Sequence, residues 1–285
     1  MPAHSFSTLL FLLTFLATQT SQLPIPYEGY FPRKNLLPPP LRDPLVALID
    51  EKCYTSLIEN FNLTDLGCIK YAISKALGFG IVLGGAIVKI PQILTIISSS
   101  SAEGLSLAAY YLESLSCVIT LVYNYRQGNP FSTYGEVLFL SLQNIAITLL
   151  ILAYARRQSA LVASAVAILL VAKALLSPDI VGPGWMQTLY AATIPINLAS
   201  KVPQIYTNWS NGSTGKLSAF AVLNYFLGST ARVFTTITEL DDPLVLAGNV
   251  LASLFNGILA FQLIYYWRKN KGIPPQVIEE VKKAD

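Results

Sequence analysis

The chain has 285 residues, of which 53% are hydrophobic and only 12% charged, with a formal net charge of +3. A soluble domain wets its surface with about twice that share of charge, so the composition defines an integral membrane protein. It also excludes two classes: +3 without a basic cluster gives no nucleic-acid footprint, and one histidine with three cysteines leaves little from which to build a metal site.

In chain order, Leu9–Ala17 is an apolar run too short to cross about 30 Å of hydrocarbon. With its polar flanks it reads as a secretory signal peptide over 1–22, an uncleaved interfacial anchor being the alternative. Residues 23–68 form a proline-rich, lumenal segment; the prolines between Pro24 and Pro44 predict an extended linker over 23–50, without helix or sheet. Cys53 and Cys68 follow, either bridged in an oxidising lumen or free. Between them, Asn62-Leu63-Thr64 is an N-glycosylation sequon.

Seven apolar segments come next, at about 71–97, 105–124, 134–154, 159–177, 184–208, 217–238 and 244–267, each near the length of a spanning helix. The predicted fold class is therefore an all-α membrane protein with seven transmembrane helices. A lumenal amino end puts the carboxyl end in the cytosol. The basic residues agree: Arg156, Arg157, Lys216, Arg268, Lys269 and Lys271 fall on the cytosolic side, and only Arg126 among the lumenal loops between helices.

Lys89-Ile90-Pro91-Gln92-Ile93 recurs as Lys201-Val202-Pro203-Gln204-Ile205, offset by 112 residues. Continued without gaps, the offset keeps 14 of 56 positions identical and ends by pairing Asn144 with Asn256. A three-helix unit (69–156) is thus repeated (181–268), with a linker helix (157–180) that makes the copies parallel, and a cytosolic tail (269–285). Pro91 and Pro203 kink their helices, and Gln92 and Gln204 read as caps for the freed backbone.

The two PQ motifs, each followed by a polar loop and Leu-Ser, resemble the PQ-loop superfamily, which includes the SWEET sugar transporters, cystinosin and the KDEL receptor fold. Further short motifs (Glu51-Lys52-Cys53-Tyr54, Ser101-Ala102-Glu103-Gly104-Leu105-Ser106, Tyr134-Gly135-Glu136, Ala231-Arg232-Val233-Phe234-Thr235 and Asp242-Pro243-Leu244) are similar to the mannose-P-dolichol utilization defect 1 family. That resemblance implies a non-enzymatic endoplasmic reticulum membrane protein needed to use dolichol-phosphate mannose and dolichol-phosphate glucose in lumenal glycosylation. Its implied partners are those lipids and the glycosyltransferases they serve, without a cofactor. The terminal Lys282-Lys283-Ala284-Asp285 fits a dilysine retrieval signal read by coat proteins.

Ionisable groups within membrane helices are costly, about 2.5–3.5 kcal/mol each on insertion scales. Glu113, Lys173 and Arg232 are therefore candidates either for contact with a phosphate or sugar head group, or for pairing with one another, Glu113 with Lys173 or Arg232. Asn144 and Asn256 are candidate sugar ligands, as the resemblance to SWEET proteins implies, with interhelical hydrogen bonding as the alternative. Lys89 and Lys201 are either snorkelling or head-group residues. Gly80-x-x-x-Gly84 reads as a close-packing surface. The competing functional expectation is a transporter of a free sugar or amino acid; an interaction protein with the same fold is the third.

Overall fold

In the computed structural model, residues 36–199, 201–214 and 219–270 are described. The expected signal peptide and the dilysine motif (Lys282, Lys283) lie outside them. From Pro39 onward the chain forms one compact unit, helical throughout, with no strand among the described residues.

The first helix, α1 (Pro39–Tyr54), corrects the expectation of an extended linker over 39–50; residues 23–35 lie outside the described residues. Pro39 and Pro40 open its first turn, where no backbone N–H is needed, and Pro44 lies inside the helix, which forgoes one backbone bond there. A π-helical turn (Thr55–Glu59) follows. Cys53 and Cys68 are joined in a disulfide, which ties α1 to the start of α2 (Leu66–Ile87). Asp65 caps α2 by accepting from the Cys68 N–H at 3.1 Å, and Ser56 donates to its second oxygen at 2.8 Å. Asn62 lies exposed in the intervening loop, its Oδ1 accepting from the Thr64 hydroxyl at 2.6 Å.

The remaining elements are α3 (Ile90–Ser99), α4 (Leu107–Arg126), a 3-10 turn (Phe131–Thr133), α5 (Gly135–Tyr154), α6 (Gln158–Leu176), α7 (Pro183–Ala199), α8 (Lys201–Ser210), α9 (Ala219–Glu239) and α10 (Pro243–Asn270). Each expected apolar segment is helical where described, and with α2–α3 and α7–α8 each counted once, α1 makes eight helical segments among the described residues instead of seven. Among the described residues four stretches are long and apolar enough to cross a membrane: Leu66–Ser99, Gly135–Tyr154, Gln158–Leu176 and Pro243–Tyr266. Polar residues dilute α4, with Glu113 and Asn124, and α9, with Arg232.

A proline cannot donate to the carbonyl four residues back. Accordingly α2 ends at Ile87, four before Pro91, and Pro91 sits in the first turn of α3. In the second copy Pro203 lies within α8, and residue 200, between α7 and α8, is outside the described residues.

Contacts between the repeats are reciprocal. Helix α2 packs on α9, and α4 packs on α7, so the first helix of each copy meets the second helix of the other. The α4–α7 seam is apolar and aromatic: Val118, Ile119, Val122, Tyr123, Met186 and Tyr190 are all buried there, and the Tyr123 and Tyr190 rings stack at 4.2 Å. Tyr123 also donates to Asp242 at 2.7 Å, while the other Asp242 oxygen caps α10 by accepting from the Leu244 and Val245 N–H groups. Helix α6 lies outside, against α4 and α5.

Close packing of α2 on the start of α5 depends on Gly78 and Gly85. A Cβ at Gly78 would lie 2.6 Å from the Ser132 carbonyl oxygen, and one at Gly85 would lie 2.5 Å from the Glu136 Cβ. Gly80 and Gly84 have nothing within 4 Å. The small-residue surface is therefore real but displaced around the helix from the expected pair.

Candidate functional site

The break between α2 and α3 leaves backbone groups without helical partners, and Gln143 of α5 supplies them. Its Nε2 donates to the carbonyls of Gly85 at 2.8 Å and Ala86 at 3.2 Å, and its Oε1 accepts the Lys89 N–H at 2.8 Å. The cap expected of Gln92 thus comes from another helix. One residue on, Asn144 is completely buried. Its Oδ1 accepts from Lys89 Nζ at 2.6 Å, its Nδ2 donates to Cys117 Sγ at 3.7 Å, and its carbonyl accepts from Thr148.

Lys89 does not snorkel. Its ammonium is held by Glu113 at 2.5 Å and Asn144, 5.3 Å from the Tyr110 ring centre. Glu113 consequently pairs with Lys89 and with neither Lys173 nor Arg232, which corrects both expected pairings. Glu113 lies three residues from Ser116, on the same face of α4, and Ser116 donates to Asn197 of α7 at 3.0 Å. The Lys89–Glu113 pair therefore opens toward the junction of the two repeats.

The second copy repeats this frame with different chemistry. Asn256 is buried, and its Nδ2 donates to the Tyr225 carbonyl at 3.2 Å and Ser229 Oγ at 3.1 Å. Ser229 is the repeat equivalent of Cys117. Lys201, at the start of α8, stands over the Tyr225 ring at 5.3 Å. Lys201, Gln204, Val222, Tyr225, Asn256 and Leu259 line a cavity of about 100 Å³. Asn144 and Asn256 are both buried within their own repeats, and no hydrogen bond joins them among the described residues.

Arg232 belongs to a different place, the α2–α9 seam. It donates to the Ser132 carbonyl at 2.8 Å and forms an ion pair with Glu136. Beside it, Glu239 accepts from Lys75 at 2.7 Å, Ser74 at 2.5 Å and the Ser132 hydroxyl at 2.6 Å, with its carboxylate fully buried. Two acids balance two bases, so the network is neutral. Glu239, Lys75 and Ser132 are not among the candidates that the sequence analysis raises. The signal was available: Arg232 and Glu136 each fall in one of the short family-like motifs. Lys173 is exposed on α6, apart from both half-sites.

On the outer side of the α9–α10 pair lies a groove of about 490 Å³, almost wholly apolar and open at the surface. Phe226, Val233, Val250, Leu254, Ile258 and Phe261 line it, with Thr230 and Ser253 hydrogen-bonded to each other at 3.0 Å.

Apolar helices, reciprocal seams and matching asparagines define a multi-pass membrane protein made from a duplicated three-helix unit. More particularly, residues 73–133 and 185–245 each match the family model of the PQ loop repeat. The two matches are displaced by the same 112 residues as the KxPQ motifs. No solved structure matches the chain.

Proposed function

We propose that this protein is a non-enzymatic endoplasmic reticulum membrane factor that binds dolichol-phosphate mannose and dolichol-phosphate glucose. It presents or translocates them for lumenal glycosylation, including lipid-linked oligosaccharide, GPI and mannosylation pathways. The observation that carries this reading is the apolar groove on the flank of α9 and α10. A free solute needs an enclosed aqueous path, whereas a lipid-linked one needs sideways entry for an apolar chain. The groove is within the 300–1,000 Å³ typical of ligand sites. Its helices also carry Tyr225 and Asn256 of the polar cavity, so an apolar and a polar site share one helix pair. The Cys53–Cys68 bridge supports placing that end of the molecule in the oxidising lumen, with the carboxyl end cytosolic. Glycosyltransferases and retrieval coats are the proposed protein partners.

The test is rescue of lipid-linked mannose use in cells lacking this factor. Leu254 is 56% exposed, so Leu254→Trp fills the groove without entering the core. It should reduce rescue at least several-fold at normal expression. Full rescue by Leu254→Trp, or persistent truncated lipid-linked oligosaccharides with the unaltered protein, would count against the reading.

A further inference from the structure

The two half-sites are built on one plan but left in opposite electrostatic states. In repeat 1 every strong polar group has an internal partner: Lys89 is neutralised by Glu113, its N–H is capped by Gln143, and Asn144 Oδ1 is taken by the ammonium. At the equivalent positions of repeat 2, Tyr225 replaces Glu113 and Phe255 replaces Gln143. A phenol ring can pack on an ammonium but does not neutralise it, and a phenyl ring cannot accept a hydrogen bond. Lys201 accordingly has no carboxylate within ion-pair distance among the described residues. Asn256 Oδ1 is buried without a hydrogen-bond partner. The side chain is only 7% exposed and lines the cavity. Its orientation is fixed because Nδ2 must face the Tyr225 carbonyl, which can only accept.

A buried orphan acceptor is costly, and an unpaired ammonium within a membrane helix is costlier. Both converge on one cavity, lined by Lys201 and Asn256. A cation with a nearby orphan acceptor matches an anion that carries a neighbouring hydroxyl donor. Size narrows the class: about 100 Å³ is below the roughly 150 Å³ that admits benzene, so it suits a phosphoryl group better than a whole hexose.

Building on the proposed function, we infer that repeat 2 alone holds the anion of the ligand. The phosphoryl group of a glycosyl phosphate sits at Lys201 and Gln204 over Tyr225, and Asn256 Oδ1 accepts from an adjoining sugar hydroxyl. Repeat 1, already charge-balanced, contributes no phosphate contact.

The experiment exchanges the residues that distinguish the copies. Tyr225 is 62% exposed, so Tyr225→Glu places a carboxylate beside Lys201 without disturbing the core, and Glu113→Tyr removes the one beside Lys89. Purified full-length protein in nanodiscs is titrated with citronellyl phosphomannose, mannose 1-phosphate and inorganic phosphate. The unaltered chain should bind one equivalent of citronellyl phosphomannose. Tyr225→Glu and Lys201→Met should each weaken it tenfold or more, Lys201→Arg less than threefold, and Glu113→Tyr should add a second, weaker equivalent. Unchanged affinity in Tyr225→Glu, or loss of the single site in Glu113→Tyr, overturns the assignment to repeat 2 while leaving lipid-linked sugar binding intact. Equal affinity for inorganic phosphate keeps the anion site but removes the lipid-linked sugar as its ligand. Mannose 1-phosphate binding as tightly as the citronellyl form shows that the head group is read free of its chain.

Discussion

Glu239 shows how a single side chain is made tolerable where it is. Its fully buried carboxylate accepts from Ser74, Lys75 and Ser132, so the desolvation cost of the ion is offset by three donors. Removing one member of such a set strands the rest, a loss of about 3–5 kcal/mol. Glu239→Gln should lower the thermal midpoint of the purified protein by several degrees, and Lys75→Met should do the same. Combining the two should cost less than the sum of the single losses, since the remaining charge is then removed as well. Asp65 works at the opposite extreme, at the water-facing start of α2. The Cys68 N–H foremost, and then the Ser56 hydroxyl, hold its carboxyl below the ordinary 3.8. A depressed acid contributes fully above about pH 4 and loses its contribution as pH falls through the folded value. Protection of the residue 60–70 amides against hydrogen exchange, corrected for the intrinsic rate at each pH, should therefore fall on acidification below pH 4. In Asp65→Asn it should be lower already at neutral pH and insensitive to that acid step.

At the scale of elements, the decisive contacts are those that let helices approach. Adding a methyl at Gly78 or Gly85 drives it into backbone or Cβ atoms of the α5 entrance, and such overpacking costs about 1–3 kcal/mol. Gly80→Ala and Gly84→Ala meet open space and should be neutral or stabilising by up to about 1 kcal/mol, because alanine is the better helix former. Denaturation of the four variants side by side distinguishes the two faces of α2. This is also where reading the sequence reached its limit. Glycine spacing announces a close approach, but 80 and 84 fit the i, i+4 pattern better than 78 and 85, and only the partner helix decides between them. The position of the α2–α3 kink was legible, because a proline imposes its effect four residues back whatever surrounds it. Its cap was not: Gln143 reaches the α2–α3 break from 54 residues away, and nothing local to Lys89 announces it. The helix α1 was hidden because Pro39 and Pro40 are harmless in a first turn and the helix continues through Pro44.

For the molecule as a whole, the offset of 112 residues already implied two parallel copies, and the reciprocal α2–α9 and α4–α7 seams follow from it. What the offset could not convey is that the seams differ in kind. One is an ionic network around Glu239 and Arg232, the other a stacked, apolar seam around Tyr123 and Tyr190. Duplication preserved the prolines and the asparagines and let the chemistry between copies diverge. The same divergence separates the half-sites, where Glu113 and Tyr225 occupy one repeat position with different charge. The candidate residues therefore scattered: Glu113 and Asn144 meet at Lys89, Arg232 serves the seam, and Lys173 is exposed on α6.

The central claim is that the ligand is a sugar carried on a lipid. Equilibrium competition on the reconstituted full-length chain tests it most directly, with radiolabelled citronellyl phosphomannose as tracer. We predict saturable binding that a thousand-fold excess of free mannose, or of any amino acid, leaves in place. Displacement of the tracer by free sugar or an amino acid near its own concentration, or failure of the tracer to saturate, would contradict the account.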